Sequence, residues 1–413
     1  MASTTECIPD AAAHWAIESY IPIQNVDLVE ALLAREDDDR QGTNNVDAKP
    51  RIRQVFTSMY DLLHQRGRAL HTGFASRYAE IDPDRDTRAI ELANHPSQPL
   101  ADASRIAELS RQVLVDAGFS EVEQSELVNA VLHASEWGVP LHVDFEVFDL
   151  LLVYARGDII GKRLKRRWRK WFQFTQVDVP IYQRVVVIFK LRSGSITEDQ
   201  LEPEMLHLRM FKNVPKIDID MLLPGTRVRI SWFDRTRSVV PSLGGIGIQI
   251  YKIVRLALFV AVITYSIAAM IIGLTIAIIG YVVRSVMTYL QTRNRYMLNL
   301  TRSLYYQKLD TNAGVAYRLL NEAESQRHRE VLLAYYALLT SSAPLSLRKL
   351  RRRVQRMLRE IAGIEVDYRA ADAVKTLETW RLIRRDSEGR LSTLLPDEAM
   401  QRIDACWDEV INS

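Results

Sequence analysis

Between Leu256 and Val283 the chain reads LALFVAVITYSIAAMIIGLTIAIIGYVV, 28 residues without a charged side chain. About 18 such residues are enough to span a bilayer, whereas a buried helix of a water-soluble core nearly always keeps polar positions on one side. The run therefore predicts a membrane-embedded segment. At about 1.5 Å per residue it extends ~42 Å, the length of one tilted helix. Charge argues for a different topology. Arg227, Arg229, Arg235 and Arg237 precede the run and Arg284, Arg293, Arg295 and Arg302 follow it, so both flanks carry the basic signature of the cytoplasmic side. A helical hairpin, with limbs from about Ile248 and back to about Tyr289, satisfies that signature and is preferred to a single span; Lys252, Arg255 and Arg284 would snorkel to the headgroups. Gly273 and Gly280, seven apart, suit close packing of such limbs, although glycine is common in spans generally.

The rest of the chain has the means to fold in water. An apolar fraction of 47% in 413 residues is enough for two or three domains with real cores. The formal charge of +3 is small beside 54 basic and 51 acidic residues, so local clusters carry any argument about partners. Cys7 and Cys406, the two cysteines, stand near opposite ends and offer neither a disulfide framework nor a thiolate metal site, which fits a reducing compartment. The opening MASTTECIPDAAAHW has no basic stretch followed by an apolar one, so no cleavable secretory signal is expected.

Helical texture dominates the first 140 residues. WAIESYIPIQNVDLVEALLAR (15–35) predicts an extended lead-in and a short amphipathic helix, and Glu36 to Asp39 with QGTNNVDAKP predicts a linker. Ile52, Val55, Phe56, Met59, Leu62 and Leu63 recur at helical spacing. Further helices are expected over 103–117 and 121–135, the second opened by Ser120 with Glu123 as a capping box. From Leu141 the texture turns β-branched and aromatic, in VDFEVFDLLLVYARGDII, VDVPIYQRVVVIFKL, LHLRMFKNV and TRVRISWFD, which predicts strands. After the apolar run, helices are expected over 286–309 and 314–340. Beyond Pro344, Leu347, Leu350, Val354, Met357, Leu358 and Ile361 form one apolar stripe among arginines. RAADAVKTLETW, then LIRRDSEGRLSTLL about a Ser-Glu-Gly turn, then a last helix, complete the element order of a winged helix.

One stretch asks for an anionic partner. In GKRLKRRWRKWFQF (161–174), Lys162, Arg163, Lys165, Arg166, Arg167, Arg169 and Lys170 are interleaved and followed by Trp168, Trp171 and Phe172. It falls between two expected strands, so it reads as a hairpin loop or a short amphipathic insertion. Each basic group near an anionic bilayer contributes about 1 kcal/mol, and tryptophan favours the headgroup boundary. Lipid is favoured over nucleic acid or an acidic protein because of the neighbouring apolar run; a solvated loop is the bland alternative.

Catalytic motifs are missing from the sequence. The eight histidines are scattered, His64 and His71 being the nearest pair, and there is no HExxH, paired CxxC or Walker loop. Gly244, Gly245 and Gly247 lack the setting of a dinucleotide site and read as a flexible entry to the apolar run. Asp218 and Asp220 alternate with isoleucines and are expected on one strand face, solvated rather than catalytic. In the C-terminal module the helix at the recognition position carries Asp372, Lys375 and Glu378, so DNA contact is disfavoured and a protein partner preferred. The helix from Arg348 to Arg359 is expected to face solvent or protein, with membrane contact as the lesser alternative.

Several segments taken in order resemble one family. They are ESYIPIQNVDLVEALL (18–33), FASRYAEIDPDRDT (74–87), VYARGD (153–158), VDVPIYQRVVVIFKL (177–191), LRMFKNVPKIDIDMLLPG (208–225) and DTNAGVAYRLLNEAESQRHREVLLAYYALL (310–339). The family is domain of unknown function 3754, and the most specific pieces are Arg156 with Gly157, Phe211 through Pro215 to Pro224, and Asn312 to Val315. The resemblance implies an integral membrane protein with a paired apolar segment and supplies no reaction, cofactor or catalytic residue. The chain departs from the pattern at Ala313, where a second asparagine is expected, and its uncharged run is short for two passes.

The expected architecture is thus an α+β membrane protein. It has a helical N-terminal region (1–140), a β-rich α+β domain with the basic loop (141–243), a transmembrane helix or helical hairpin (244–290), a helical region (291–343) and a winged-helix-like module (344–413). The leading functional expectation is a membrane-anchored binding or scaffold protein with its soluble domains facing the cytoplasm or a matrix-like compartment. Lys162, Arg163, Lys165, Arg166, Arg167, Trp168, Arg169, Lys170 and Trp171 would contact anionic lipid headgroups, and the C-terminal module would bind a protein partner. No metal or cofactor is expected. The alternatives are an enzyme acting on a lipid or membrane-delivered substrate through residues near Arg156, Asp158 and Asp218, and a membrane-tethered DNA-binding regulator.

Overall fold

The computed structural model describes residues 8–9, 16–35, 48–87, 103–123, 141–142, 144–166, 174–194, 201–224, 227–228 and 308–411, with residues 251, 280, 283–284, 287 and 291 in addition. The described strands are β1 (Ile8–Pro9), β2 (Ser120–Glu121), β3 (Leu141–His142), β4 (Phe148–Arg166), β5 (Phe174–Leu191), β6 (His207–Pro215), β7 (Arg227–Val228), β8 (Lys308–Thr311), β9 (Ile383–Arg385) and β10 (Leu391–Thr393). The helices are α1 (Asn25–Ala34), α2 (Ala48–Tyr78), α3 (Ala103–Asp116), α4 (Asn312–Leu339), α5 (Leu347–Ala362), α6 (Ala370–Thr379) and α7 (Pro396–Ile411).

The chain divides into two compact units. One comprises residues 1–123, 146–216 and 308–413; the other comprises 124–145 and 217–307. In the second unit β3 pairs antiparallel with β7, Leu141 opposite Val228 and His142 opposite Arg227.

The first unit is organised by an antiparallel sheet of order β1-β4-β5-β6-β8, with β2 also pairing with β4. Its centre is long. Leu150 to Arg166 of β4 run opposite Lys190 to Phe174 of β5, and β6 covers β5 from Ile181 to Phe189. The central strands read as nearly continuous Val, Ile, Leu and Phe, and Val185 to Phe189 are wholly buried, as expected for strands covered on both faces.

Helix α4 joins two cores within this unit. Val315, Ala316, Leu319 and Leu320 of its first half pack with Leu152, Tyr154, Val186, Ile188, Leu208 and Met210 of the sheet and with Ile106 and Leu114 of α3. Every residue from Val331 to Leu339 of its second half is buried, among α1, α2 and the C-terminal helices. A helix apolar on all sides needs neighbours on all sides. The end of the chain supplies them through Leu350, Val354 and Leu358 of α5, Ala373 and Leu377 of α6, Trp380, and Ile403 of α7.

Local chemistry explains the element ends. The Ser346 hydroxyl accepts from the Lys349 amide at the start of α5, and Gly363 closes the helix at φ 66°. Two expectations fail locally. Ser120 opens no helix: Ser120 and Glu121 pair with Ala155 and Tyr154 as β2, since a ladder offered by β4 outweighs a capping preference. Residues 308–311 form no helix end either, because they pair with β6 at the sheet edge. The expected helix over 121–135 otherwise lies outside the described residues.

The expectation of a membrane-spanning helix is corrected. Among the described residues, no helix is long and apolar enough to cross a membrane. The fold they define is mixed α and β, built on an antiparallel sheet. The run Leu256–Val283 that carried the expectation lies outside the described residues except for Gly280 and Val283.

Candidate functional site

The basic stretch belongs partly to a strand. Lys162, Arg163, Lys165 and Arg166 lie on β4, paired in register with Asp178, Val177, Thr175 and Phe174 of β5. Their placement on a strand, where a loop or amphipathic insertion was expected, follows from the unbroken ladder that runs to Arg166. Lys162 is exposed and also faces Ile8 of β1. Beyond it, among the described strands, neither β1 nor β6 continues. Four pairs, from Arg163 and Val177 to Arg166 and Phe174, extend as a two-stranded ribbon of about 14 Å at ~3.4 Å per residue. Arg167, Trp168, Arg169, Lys170 and Trp171 fall between the ribbon ends, outside the described residues. At the base of this arm Ile159, Val179 and Ile181 form a small apolar cluster.

A second charged region lies where the sheet meets α4. Arg156, 5% exposed, donates to the Ala117 carbonyl at 2.8 Å and pairs with Glu322 at 2.7 Å. Its guanidinium lies over the rings of Tyr20 and Phe119, 4.0 and 4.4 Å from their centroids. Next along the strand, the Glu18 carboxylate accepts from the Gly157 and Asp158 amides at 2.8 and 2.9 Å. Gly157 is needed there: its φ is 76°, and a Cβ would come 2.7 Å from Cβ of Gln183. The Asp158 carboxylate accepts from Lys216 at 2.6 Å. Burial works against the Lys216 charge, but its hydrogen bond to Asp158, with Tyr182 beside it, outweighs this and raises its pKa.

A third polar cluster is structural. Glu330, fully buried, accepts from Arg369 Nε at 3.0 Å and Nη2 at 2.7 Å and from Gln326 at 3.0 Å. Arg369 also donates to the carbonyls of Val115 and Asp116. Burial pushes the Glu330 carboxyl up, with Arg369 and Arg327 pulling the other way. On α2 and α4, the rings of His64 and His71 flank the Glu324 carboxylate at 2.9 and 3.9 Å. Among the described residues no group of three or more His, Cys, Asp or Glu side chains could hold a metal ion.

Arg156, Asp158 and Asp218, the residues considered for an enzymatic reading, lie on β4 and on the 3-10 helix Lys216–Leu222. Arg156 is fully engaged, and Asp158 is paired with Lys216. Asp218 and Asp220 lie on a 3-10 helix, Lys216–Leu222, not on a strand. At three residues per turn, positions two apart do not share a face. A groove of about 580 Å³ is lined by residues of α1 and α2, including Glu30, Lys49, Pro50 and Arg53, and includes none of these residues. What sequence reasoning missed is the alignment of Arg156 with Arg184 and Lys212 across three strands, a matter of register.

Sheet, arm and charged seam define a mixed α/β protein with a basic ribbon and no assembled catalytic group among the described residues. Residues 182–314 match the model of a family described as protein of unknown function, DUF3754, which assigns this part of the chain to that family. The match runs from Tyr182 on β5 through β6 and β8 to Gly314 at the start of α4, so it includes Arg184 and Lys212 and leaves out the basic arm. No solved structure matches the chain.

Proposed function

We propose that the protein is a binding or scaffold protein that docks on an anionic lipid surface through the tip of its β4–β5 arm. Its C-terminal module, winged-helix-like in element order, recruits a protein partner. The observation that carries this reading is the ribbon of paired residues that continues past Lys162 and Asp178, beyond the other strands. Lys162, Arg163, Lys165 and Arg166 lie on β4 of this pair, and the sequence that joins its two strands carries Arg167, Arg169 and Lys170 with Trp168 and Trp171. Basic side chains near an anionic bilayer each contribute about 1 kcal/mol and tryptophan settles at the headgroup level.

For the C-terminal module, Arg348, Lys349, Arg352 and Arg356 are exposed on α5, while α6 presents Glu378, paired with Arg385 at 2.6 Å. Acid on the helix that would face a DNA groove favours a protein partner.

The test is flotation of the full chain with vesicles of phosphatidylserine in phosphatidylcholine, comparing it with the triple variant Arg166→Glu, Arg167→Glu, Arg169→Glu. At about 1 kcal/mol per residue the reversal weakens binding about a hundredfold. Equal flotation of the two proteins would remove the arm from the account.

A further inference from the structure

On the sheet face that α4 covers, apolar pairs give way to charge at one register. Leu152 opposite Ile188 and Tyr154 opposite Val186 are buried against α4. The next row is Arg156, Arg184 and Lys212, directly opposite one another on β4, β5 and β6. Opposed residues of antiparallel strands stand about 5 Å apart on the same face, where like charges repel. Helix α4 adds Arg318 and Glu322. Glu322 pairs with Arg156 at 2.7 Å and with Arg318 at 3.3 Å. Arg156 and Arg318 thus share one carboxylate, which also acts on Arg184, and Lys212 has no ion-pair partner among the described residues. Burial, with Arg156 and Arg318 nearby, depresses the Arg184 pKa against the opposing pull of Glu322.

The neighbouring register is independently unusual. Gly157 on β4 and Asn213 on β6 both have positive φ, 76° and 50°, and both lie beside Gln183 of the strand between them, as the pairs on either side fix. The two strands that flank β5 thus leave extended geometry along one line, next to the row of cations. Backbone outliers of this kind gather at ligand sites.

We propose that Arg184, Lys212 and Arg318 bind a phosphate monoester group. Arg156, held by Glu322, Tyr20 and Phe119, is a fixed charge beside them. A dianion matches the unneutralised charge better than a carboxylate does, and guanidinium forks with one ammonium are the donors that recognise phosphate oxygens. The group could come from a soluble phosphorylated molecule or from a lipid headgroup. The site stands on the sheet and α4, so it is independent of the arm.

The experiment is calorimetric titration of the full chain with inorganic phosphate and, separately, with a water-soluble short-chain phosphatidic acid. The wild type is compared with Arg184→Gln, Lys212→Gln, Arg318→Gln and the exposed, remote Arg384→Gln. Saturable binding is expected, weakened about tenfold by each of the first three changes and unchanged by the fourth. Binding of both ligands marks free phosphate as sufficient; binding of the lipid alone marks the headgroup as the source. Lys212 has no ion pair to lose, so Lys212→Gln decides the matter even where Arg184→Gln unfolds the sheet. Absence of binding to either ligand, or equal affinity in the wild type and Lys212→Gln, overturns the proposal.

Discussion

Gly157 and Asn213 stand on opposite sides of Gln183, one on β4 and one on β6, and both adopt left-handed backbone. Gly157→Ala should destabilise the protein by about 2 kcal/mol or more, since it adds left-handed strain to a Cβ held 2.7 Å from Cβ of Gln183. Asn213→Gly should be neutral or slightly stabilising, while Asn213→Ala should cost about 1 kcal/mol. Urea unfolding of the three variants checks the order. A fully stable Gly157→Ala protein would show that this backbone geometry is not required.

Glu322 separates a purely structural reading of the seam from a binding one. Removing one partner of a largely buried ion pair costs about 3 kcal/mol, so Glu322→Gln should lower stability. If the seam binds phosphate, the same change should also strengthen phosphate binding, because it deletes the one carboxylate paired with Arg156 and Arg318. Unfolding and calorimetry of one variant test both. A less stable protein with unchanged or weaker phosphate affinity leaves Glu322 as a structural counter-charge only.

Much of this architecture was legible in the sequence, and the rest was hidden for a physical reason. The stripe Leu350, Val354, Met357 and Leu358 foretold α5, and the Ser-Glu-Gly turn foretold β9 and β10. Periodicity reports a residue's own element. Register it does not report: that Arg156, Arg184 and Lys212 share a row depends on how three strands slide together. Nor does local sequence reveal that Ser120 and Lys308 join a sheet, since both owe their strand geometry to partners far along the chain. The basic stretch was visible by composition, but that its first residues, Lys162 to Arg166, belong to a strand needed the β4–β5 ladder.

His328 gives a pH dependence with a definite sign. Its Nε2–H donates to the Phe56 carbonyl at 3.2 Å, and Tyr60 packs edge-on at 5.1 Å. Burial, with Arg329 adding to it, lowers its pKa from 6.5 to about 4. The folded state resists the proton that the unfolded state accepts. The associated stability is therefore complete above pH 6.5 and is lost as pH falls toward 4, about 3 kcal/mol in all. His328→Gln should flatten that part of the stability profile whatever its effect at neutral pH. An unchanged slope between pH 6.5 and 4 would assign the acid sensitivity to other groups.

The central claim is that the arm, and not the seam, holds the protein to an anionic surface. Titration of the full chain with vesicles containing phosphatidylserine measures it directly, in the wild type, the Arg166/Arg167/Arg169 reversal and Lys212→Gln. The reversal should lose about two orders of magnitude in affinity, Lys212→Gln should match the wild type, and vesicles of phosphatidylcholine alone should bind none of them. Retained affinity in the arm reversal, or equal binding to neutral vesicles, contradicts the account.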